Sequence, residues 1–259
     1  MSPEGRLAGR VALITGGGRG LGKAIALAYA QEGADLVVVA RGQEELDQAV
    51  AEIDSCGRRG LGITADVTKP EDVEEMVRRA MGEFGRIDIL LNAAGQRAVF
   101  PSTELSFADW QRLINVNLTG SFLCSQAVGR RMIEQRYGKI ILMGSMQAHS
   151  GAPERVAYIA SKTGLVGLTR GLGVEWAKYG INVNMLSPGY FRTKAIERQF
   201  AIGELDLAAI ERRTPARRIG EMKDLLGPAL FLASSESDFM CGQTLIIDGG
   251  WLAYGFLVM

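Results

Sequence analysis

Cysteine is scarce in this chain of 259 residues: Cys56, Cys124 and Cys241 stand alone, with neither a disulfide framework nor a metal-ligand spacing. So few scattered thiols suit a reducing compartment, and the cytoplasm is the expected location. Histidine occurs once, as His149, and reads first as a loop residue. No charge of one sign dominates, since 29 lysines and arginines balance 29 aspartates and glutamates. That balance speaks against nucleic acid or an anionic membrane as the main partner. No apolar run nears the ~20 residues that a membrane span needs. The stretch Met1–Arg6 has no apolar signal core, so a soluble protein is expected. Proline/serine-rich linkers, repeats and low-complexity tracts are also missing, which leaves one domain over residues 1–259.

What is present is an apolar fraction of 47%, enough for a large core. Short apolar, β-branched runs recur at Val11–Thr15, Asp35–Ala40, Gly62–Ala65, Ile87–Asn92, Lys139–Gly144, Asn182–Ser187 and Thr244–Asp248. Most are apolar throughout rather than alternating, as strands covered on both faces are. Helical patterns fill the gaps: Leu21–Glu32, Gln43–Ser55, Pro70–Phe84, Phe107–Arg136, Tyr158–Tyr179 and Lys223–Ala233. The alternation predicts an α/β fold of Rossmann type, a doubly wound, seven-stranded parallel sheet with helices on both faces. Residues 189–218 break the rhythm with two short amphipathic pieces and form a candidate substrate lid.

Between the first strand and its helix runs Thr15-Gly16-Gly17-Gly18-Arg19-Gly20-Leu21-Gly22. Glycines at Gly16, Gly20 and Gly22 allow a sharp turn and close approach to a pyrophosphate, which the following helix N-terminus favours. The strict G-x-G-x-x-G spacing is absent, and a purely structural turn competes with this reading. The second strand ends at Ala40, where an NAD-selecting chain usually carries a carboxylate. Arg41 follows, and with Arg19 it could clamp a 2′-phosphate. NADP is therefore the expected cofactor, with NAD possible and two solvated arginines as the alternative.

Ser145 follows the fifth strand, and Tyr158 precedes Lys162 by four residues. On a helix that spacing shares a face, so the ammonium is expected near the phenol, where it would lower the tyrosine pKa. Ser145 could hydrogen-bond a substrate oxygen, and Tyr158 could act as general acid/base. Taken singly, such a pair is more often surface decoration.

These motifs occur in order with Asp66-Val67, Asn92-Ala93-Ala94-Gly95, Asn117, Pro188-Gly189-x-x-x-Thr193 and Asp248-Gly249-Gly250. Over essentially its whole length the chain resembles the short-chain dehydrogenases/reductases. The resemblance implies hydride transfer between a nicotinamide and a secondary alcohol or ketone, without a metal. It implies Asn117, Ser145, Tyr158 and Lys162 as the catalytic set, with Tyr158 and Lys162 also touching the cofactor. It further implies Asp66 and Val67 at the adenine, Asn92 and Gly95 beside the adenosine ribose, and Gly189, Phe191 and Thr193 near the nicotinamide. Ala93 departs from a frequent second asparagine.

Within the family, two groups look similar. Ser145-Met146-Gln147, Val174–Gly180, Pro188–Thr193 and Asp248–Trp251 look more like sugar-acid dehydrogenases of the gluconate 5-dehydrogenase kind. The alternative is a 3-oxoacyl-acyl carrier protein reductase, with Arg136 as a docking arginine. A sugar acid needs a cation for its carboxylate, and Arg97, Gln147, Tyr190 and Arg192 are the candidate substrate residues, with His149 and Arg155 also bordering the site. A non-catalytic NADP-binding sensor or scaffold is the reading from another class. Gly164, Gly167 and Gly171 line one face of a long helix; members of the family pair this helix between subunits, which implies a homotetramer.

Overall fold

The computed structural model describes residues 5–255. Seven strands form one sheet: β1 Val11–Thr15, β2 Asp35–Ala40, β3 Gly60–Thr64, β4 Ile89–Asn92, β5 Gly138–Met143, β6 Ile181–Pro188 and β7 Thr244–Ile247. All pair in parallel, in the order β3-β2-β1-β4-β5-β6-β7. The chain winds outward from β1 to β3, crosses to β4 and proceeds to β7. This is the doubly wound architecture that the strand-helix rhythm predicts.

The helices are α1 Gly20–Gln31, α2 Gln43–Ser55, α3 Pro70–Phe84, α4 Phe107–Ile114, α5 Gly120–Gln135, α6 Val156–Trp176, α7 Lys194–Ala201, α8 Leu207–Arg213 and α9 Met222–Ala233. Alternate residues of each inner strand face opposite layers. Val11 and Leu13 join the core beneath α3, α5 and α6, whereas Ala12 and Ile14 join the core beneath α1, α2 and α9. Both faces are covered, which explains why the strands read as continuous apolar runs.

The expectation of strands buried on both faces fails at both edges, since in β3 only Ile63 is buried and Thr64 is exposed. β7 is only partly buried, with Ile246 exposed at 36%, because it borders no further strand. The long helix expected over 107–136 is not uniform: a π-helical stretch, Asn115–Thr119, separates α4 from α5. Such stretches insert an extra residue per turn and recur at functional sites. The segment 189–218 holds α7 and α8, of which α7 buries no residue.

At the amino edge of the sheet, the fully buried side chain of Asp88 organises three strand starts. It accepts from the Val11 amide at 3.0 Å, from Arg86 Nε at 2.8 Å and from Arg10 Nη1 at 3.2 Å. Its carbonyl takes the Lys139 amide at 2.9 Å. Asp88→Ala leaves a buried amide and two guanidinium groups without their acceptor. Because the arginine side chains are a third to a half exposed, the cost falls below that of a fully buried pair. Urea unfolding should show a loss of about 2 to 3 kcal/mol; a loss under ~0.5 kcal/mol would rule out this anchoring role.

Candidate active site

The carboxyl ends of β1, β4 and β5 and the start of α6 bring the candidate residues together. After β1 the chain turns through Gly16, whose φ of +68° suits glycine. A Cβ on Gly22 would overlap the Gly16 carbonyl oxygen, and one on Gly16 would stand 2.8 Å from the Ala93 carbonyl. These two glycines therefore serve the packing of the turn against the exit of β4. Gly20 is different, since a Cβ there would meet nothing within 4 Å. No side chain caps α1 and no acidic residue occupies its first turn, which contains Leu21. The first-turn amides are thus available to an anion, and the open turn fits a pyrophosphate.

Ser145 lies just past β5 and is 8% exposed. Its Oγ accepts from the Gln147 amide at 3.1 Å, which starts the short 3₁₀ turn Met146–Ala148. Tyr158 and Lys162 share one face of α6, with Lys162 Nζ 5.8 Å from the Tyr158 ring centroid. Lys162 is buried and donates to the Met143 carbonyl at 2.7 Å. Asn117, at the middle of the π-helical stretch, is fully buried. Its Oδ1 accepts from the Gln96 amide at 2.8 Å, while Nδ2 donates to the Gln96 carbonyl at 2.9 Å and to Ser161 Oγ at 3.0 Å. Ser161 in turn donates to the Tyr158 carbonyl at 2.7 Å. The expected set of four is therefore clustered, joined by Gln96 and Ser161, which sequence reading missed. Ser161 lies three residues after Tyr158, a spacing that could have signalled it.

One electrostatic expectation needs correction. Burial raises the Tyr158 pKa above the ordinary tyrosine value, and the groups that pull it down are Ser145, Arg97 and Arg155 rather than Lys162. Burial also pushes Lys162 down, to about 8. Both groups are desolvated together, and for the phenol that burial outweighs the positive charges around it. A protonated phenol beside a hydroxyl can deliver a proton to a substrate oxygen and recover it later.

The remaining residues divide into fits and misfits. Gly95 lies beside Asn117 and Lys162. Asp66 accepts from the Thr68 amide and hydroxyl, which holds its carboxyl below the usual range with help from Arg41. Val67 packs against Gly120. Phe191 is buried, and its own amide and carbonyl stay outside the bridge that its neighbours Tyr190 and Arg192 make with Gly220. Thr193 Oγ1 accepts from the Ile196 amide and caps α7. Gly189 sits where a Cβ would approach Asp248 Cα to 2.9 Å, so it is required by packing against the end of β7. Asn92 does not offer its side chain to a ribose: it is 2% exposed and Nδ2 bonds to Ser125 Oγ at 3.0 Å.

Of the substrate candidates, Arg97 is the one poised over the site. It is half-buried and donates to Gln199 on α7, linking the loop after β4 to segment 189–218. Burial and the nearby Arg155 lower its pKa. Arg155 carries a buried Nη1 without a partner among the described residues, as does the Oε1 of Gln147. Arg192 pairs with Glu197 and with Glu221 at the surface, and these carboxylates compete for its charge. Tyr190 stacks edge-on with Trp251, with centroids 5.4 Å apart. Both line a cavity of about 160 Å³ with Arg218 and Asp248, to which none of Asn117, Ser145, Tyr158 and Lys162 contributes. His149 is exposed, and Arg136 lies over the Tyr179 ring at 5.6 Å. Among the described residues no cluster could hold a metal ion, and no helix is long and apolar enough to cross a membrane.

Comparison with known proteins bears on this geometry. The family model described as short chain dehydrogenase matches residues 10–201. The chain is 42% identical to 2-dehydro-3-deoxy-D-gluconate 5-dehydrogenase of Escherichia coli (strain K12), covering 95% of this chain and 97% of that protein. It is 38% identical to gluconate 5-dehydrogenase of Gluconobacter oxydans (strain 621H), over 94% and 95% of the two chains. A crystal structure of gluconate 5-dehydrogenase from Burkholderia cenocepacia J2315, in complex with NADP and tartrate, superposes with a TM-score of 0.90 at 39% identity, covering 96% of this chain and 97% of that one.

The buried ammonium of Lys162 has a consequence for stability. Folding lowers its pKa from 10.5 to about 8, so below pH 8 the fold bears the full cost of burying its charge. As pH rises from there towards the unfolded value, only the unfolded chain still holds the proton, and that cost is relieved. Lys162→Met should stabilise the free protein at pH 7 by about 2 kcal/mol after loss of the Met143 hydrogen bond. Urea unfolding at several pH values should show this gain shrinking towards pH 10; a gain independent of pH would contradict it.

Proposed function

This chain belongs to the short-chain dehydrogenase family, and on that premise we propose that it moves a hydride between NADP, or NAD, and a hydroxyl-bearing carbon of a sugar acid. Bound cofactor supplies the hydride donor in reduction and the acceptor in oxidation. In reduction Tyr158 gives its phenolic proton to the carbonyl oxygen, and Ser145 hydrogen-bonds that oxygen as charge develops on it. In oxidation the step runs in reverse: the phenolate of Tyr158 takes the proton from the substrate hydroxyl as the hydride leaves the carbon. Asn117 holds the tyrosine helix to the loop after β4 and Lys162 holds it to the end of β5, and Lys162 would also meet the nicotinamide ribose. The first turn of α1 would hold the pyrophosphate, with Asp66 and Val67 at the adenine and Phe191 and Thr193 at the nicotinamide.

The observation that carries the sugar-acid reading is the pair Arg97 and Arg155. The half-buried Arg97 lies in the field of Arg155, whose Nη1 is buried without a partner among the described residues, and both lie in the field of Tyr158. Such an arrangement costs free energy unless an anion completes it. A substrate carboxylate supplies that anion, and bidentate arginine contacts suit it. The likeness to gluconate and deoxygluconate dehydrogenases supports the same reading. Residues 189–218 would close over this carboxylate as a lid, with the Arg97–Gln199 contact as its latch.

The proposal includes a homotetramer in a reducing, cytoplasmic setting. The three cysteines are all free. Helix α6 presents Val156 and Val174 outward at 44% and 83% exposure, and nothing lies within 4 Å of where a Cβ would stand on Gly167 or Gly171. A second helix could approach this smooth, apolar face closely.

Initial rates with 5-ketogluconate, related keto-sugar acids, an uncharged ketose and an acetoacetyl thioester, each with NADPH and NADH, test the substrate class. Keto-sugar acids should turn over fastest, and Tyr158→Phe should lower kcat by roughly 10²–10⁴-fold. Arg97→Gln should raise KM for the acid at least tenfold with little effect on the uncharged ketose. Equal effects on both substrates, or faster turnover of the thioester, would overturn the sugar-acid reading. Light scattering should give four times the 27.9 kDa chain mass; a monomer would refute the assembly.

A further inference from the structure

The cofactor cleft contains a carboxylate that the strand-end rule does not anticipate. Ala40 ends β2 with a methyl group, but Glu45, in the first turn of α2, extends back over the same corner. Its Oε1 accepts from Arg19 Nη1 at 3.1 Å. Its Oε2 lies 3.5 Å from where a Cβ on Gly18 would stand and 3.7 Å from the equivalent point on Gly42. The Ala40 methyl is 3.3 Å from that Gly18 position. The carboxylate therefore bridges the glycine turn and the end of β2, where the 2′ position of an adenosine ribose is recognised in this fold class. The Arg19 side chain is 80% exposed, so nothing but Glu45 fixes its guanidinium.

We propose that Glu45 is the residue that sets the choice between the two dinucleotides, by occupying Arg19 and standing where a 2′-phosphate would enter. It rests on the reading of this cleft as the NAD(P) site. A ribose 2′-hydroxyl finds in Glu45 an acceptor, the role of the missing strand-end acid. A 2′-phosphate meets the opposite situation. It must draw Arg19 away from its carboxylate and then stand beside that carboxylate, a repulsion that Arg41 offsets only in part. Arg41 forms no salt bridge among the described residues but lies in the field of the Asp66 carboxylate. Each arginine of the 2′-phosphate clamp is thus opposed by a carboxylate, and the chain accepts both cofactors instead of demanding the phosphorylated one.

Binding without turnover tests this. Isothermal titration of the intact protein with 2′,5′-ADP and with 5′-AMP isolates the 2′ group from nicotinamide and substrate. Glu45→Gln keeps the side-chain shape but removes the charge, and should tighten 2′,5′-ADP about tenfold while 5′-AMP binds equally or more weakly. Arg19→Gln should do the reverse, weakening 2′,5′-ADP more than 5′-AMP. Added salt should shrink both effects. If both ligands bind and neither substitution changes the ratio of their dissociation constants by more than twofold, the role of Glu45 is overturned while the cofactor site stands. If wild type binds neither ligand, the cofactor site itself is wrong and the proposal falls with it.

Discussion

The side-chain amide of Asn117 is the constraint on which the site depends. A fully buried primary amide must satisfy both its oxygen and its nitrogen, and here the partners come from two other parts of the chain. Gln96 offers backbone amide and carbonyl from the loop after β4, and Ser161 offers its hydroxyl from α6. Ser161 sits between Tyr158, whose carbonyl it bonds, and Lys162. One amide therefore fixes the distance between the loop after β4 and the helix that bears Tyr158. The π-helical stretch rotates Asn117 into that position, at the expense of regular hydrogen bonding within the helix.

Around this clamp the charges are arranged for chemistry rather than for stability. Lys162 is buried with its ammonium on a single carbonyl oxygen, and Tyr158 is desolvated beside it. Arg97 and Arg155 add positive field and form no salt bridge among the described residues, although Glu204 lies in the field of Arg97. By contrast, the amino edge of the sheet pairs its charges fully, through Asp88 with Arg10 and Arg86, and Lys139 with Asp238. The two ends of one sheet thus divide the work: unbalanced charge where a substrate is to be bound, balanced charge where strands are held in register.

The fold was legible because its signals are local. Continuous apolar runs such as Val11–Thr15 and Asp35–Ala40 coincide with strands, and Gln43–Ser55 and Pro70–Phe84 coincide with helices. The family motifs also place Ser145, Tyr158, Lys162 and Asn117 in one cluster. What was not legible involves partners distant in sequence. Arg192 looks free until Glu221 approaches it from the start of α9, and Asn92 looks ligand-facing until Ser125 of α5 meets it beneath the sheet. Glu45 lies 26 residues from the arginine it holds. Helix periodicity carries no sign of the π-helical stretch, since one extra residue leaves the apolar pattern nearly unchanged.

The sequence by itself determined the doubly wound sheet, the glycine turn and the tyrosine-lysine spacing. Each follows from backbone geometry and from residues within a turn or two of one another. Only the tertiary structure decided which charges remain free. Burial and long-range pairing leave Arg97 and Arg155 facing the phenol, pair Arg192 with Glu221, reverse the expected shift of Tyr158, and set Glu45 against Arg19. Electrostatic energy in a protein depends on desolvation and on neighbours in space, and neither is written in the order of residues along the chain.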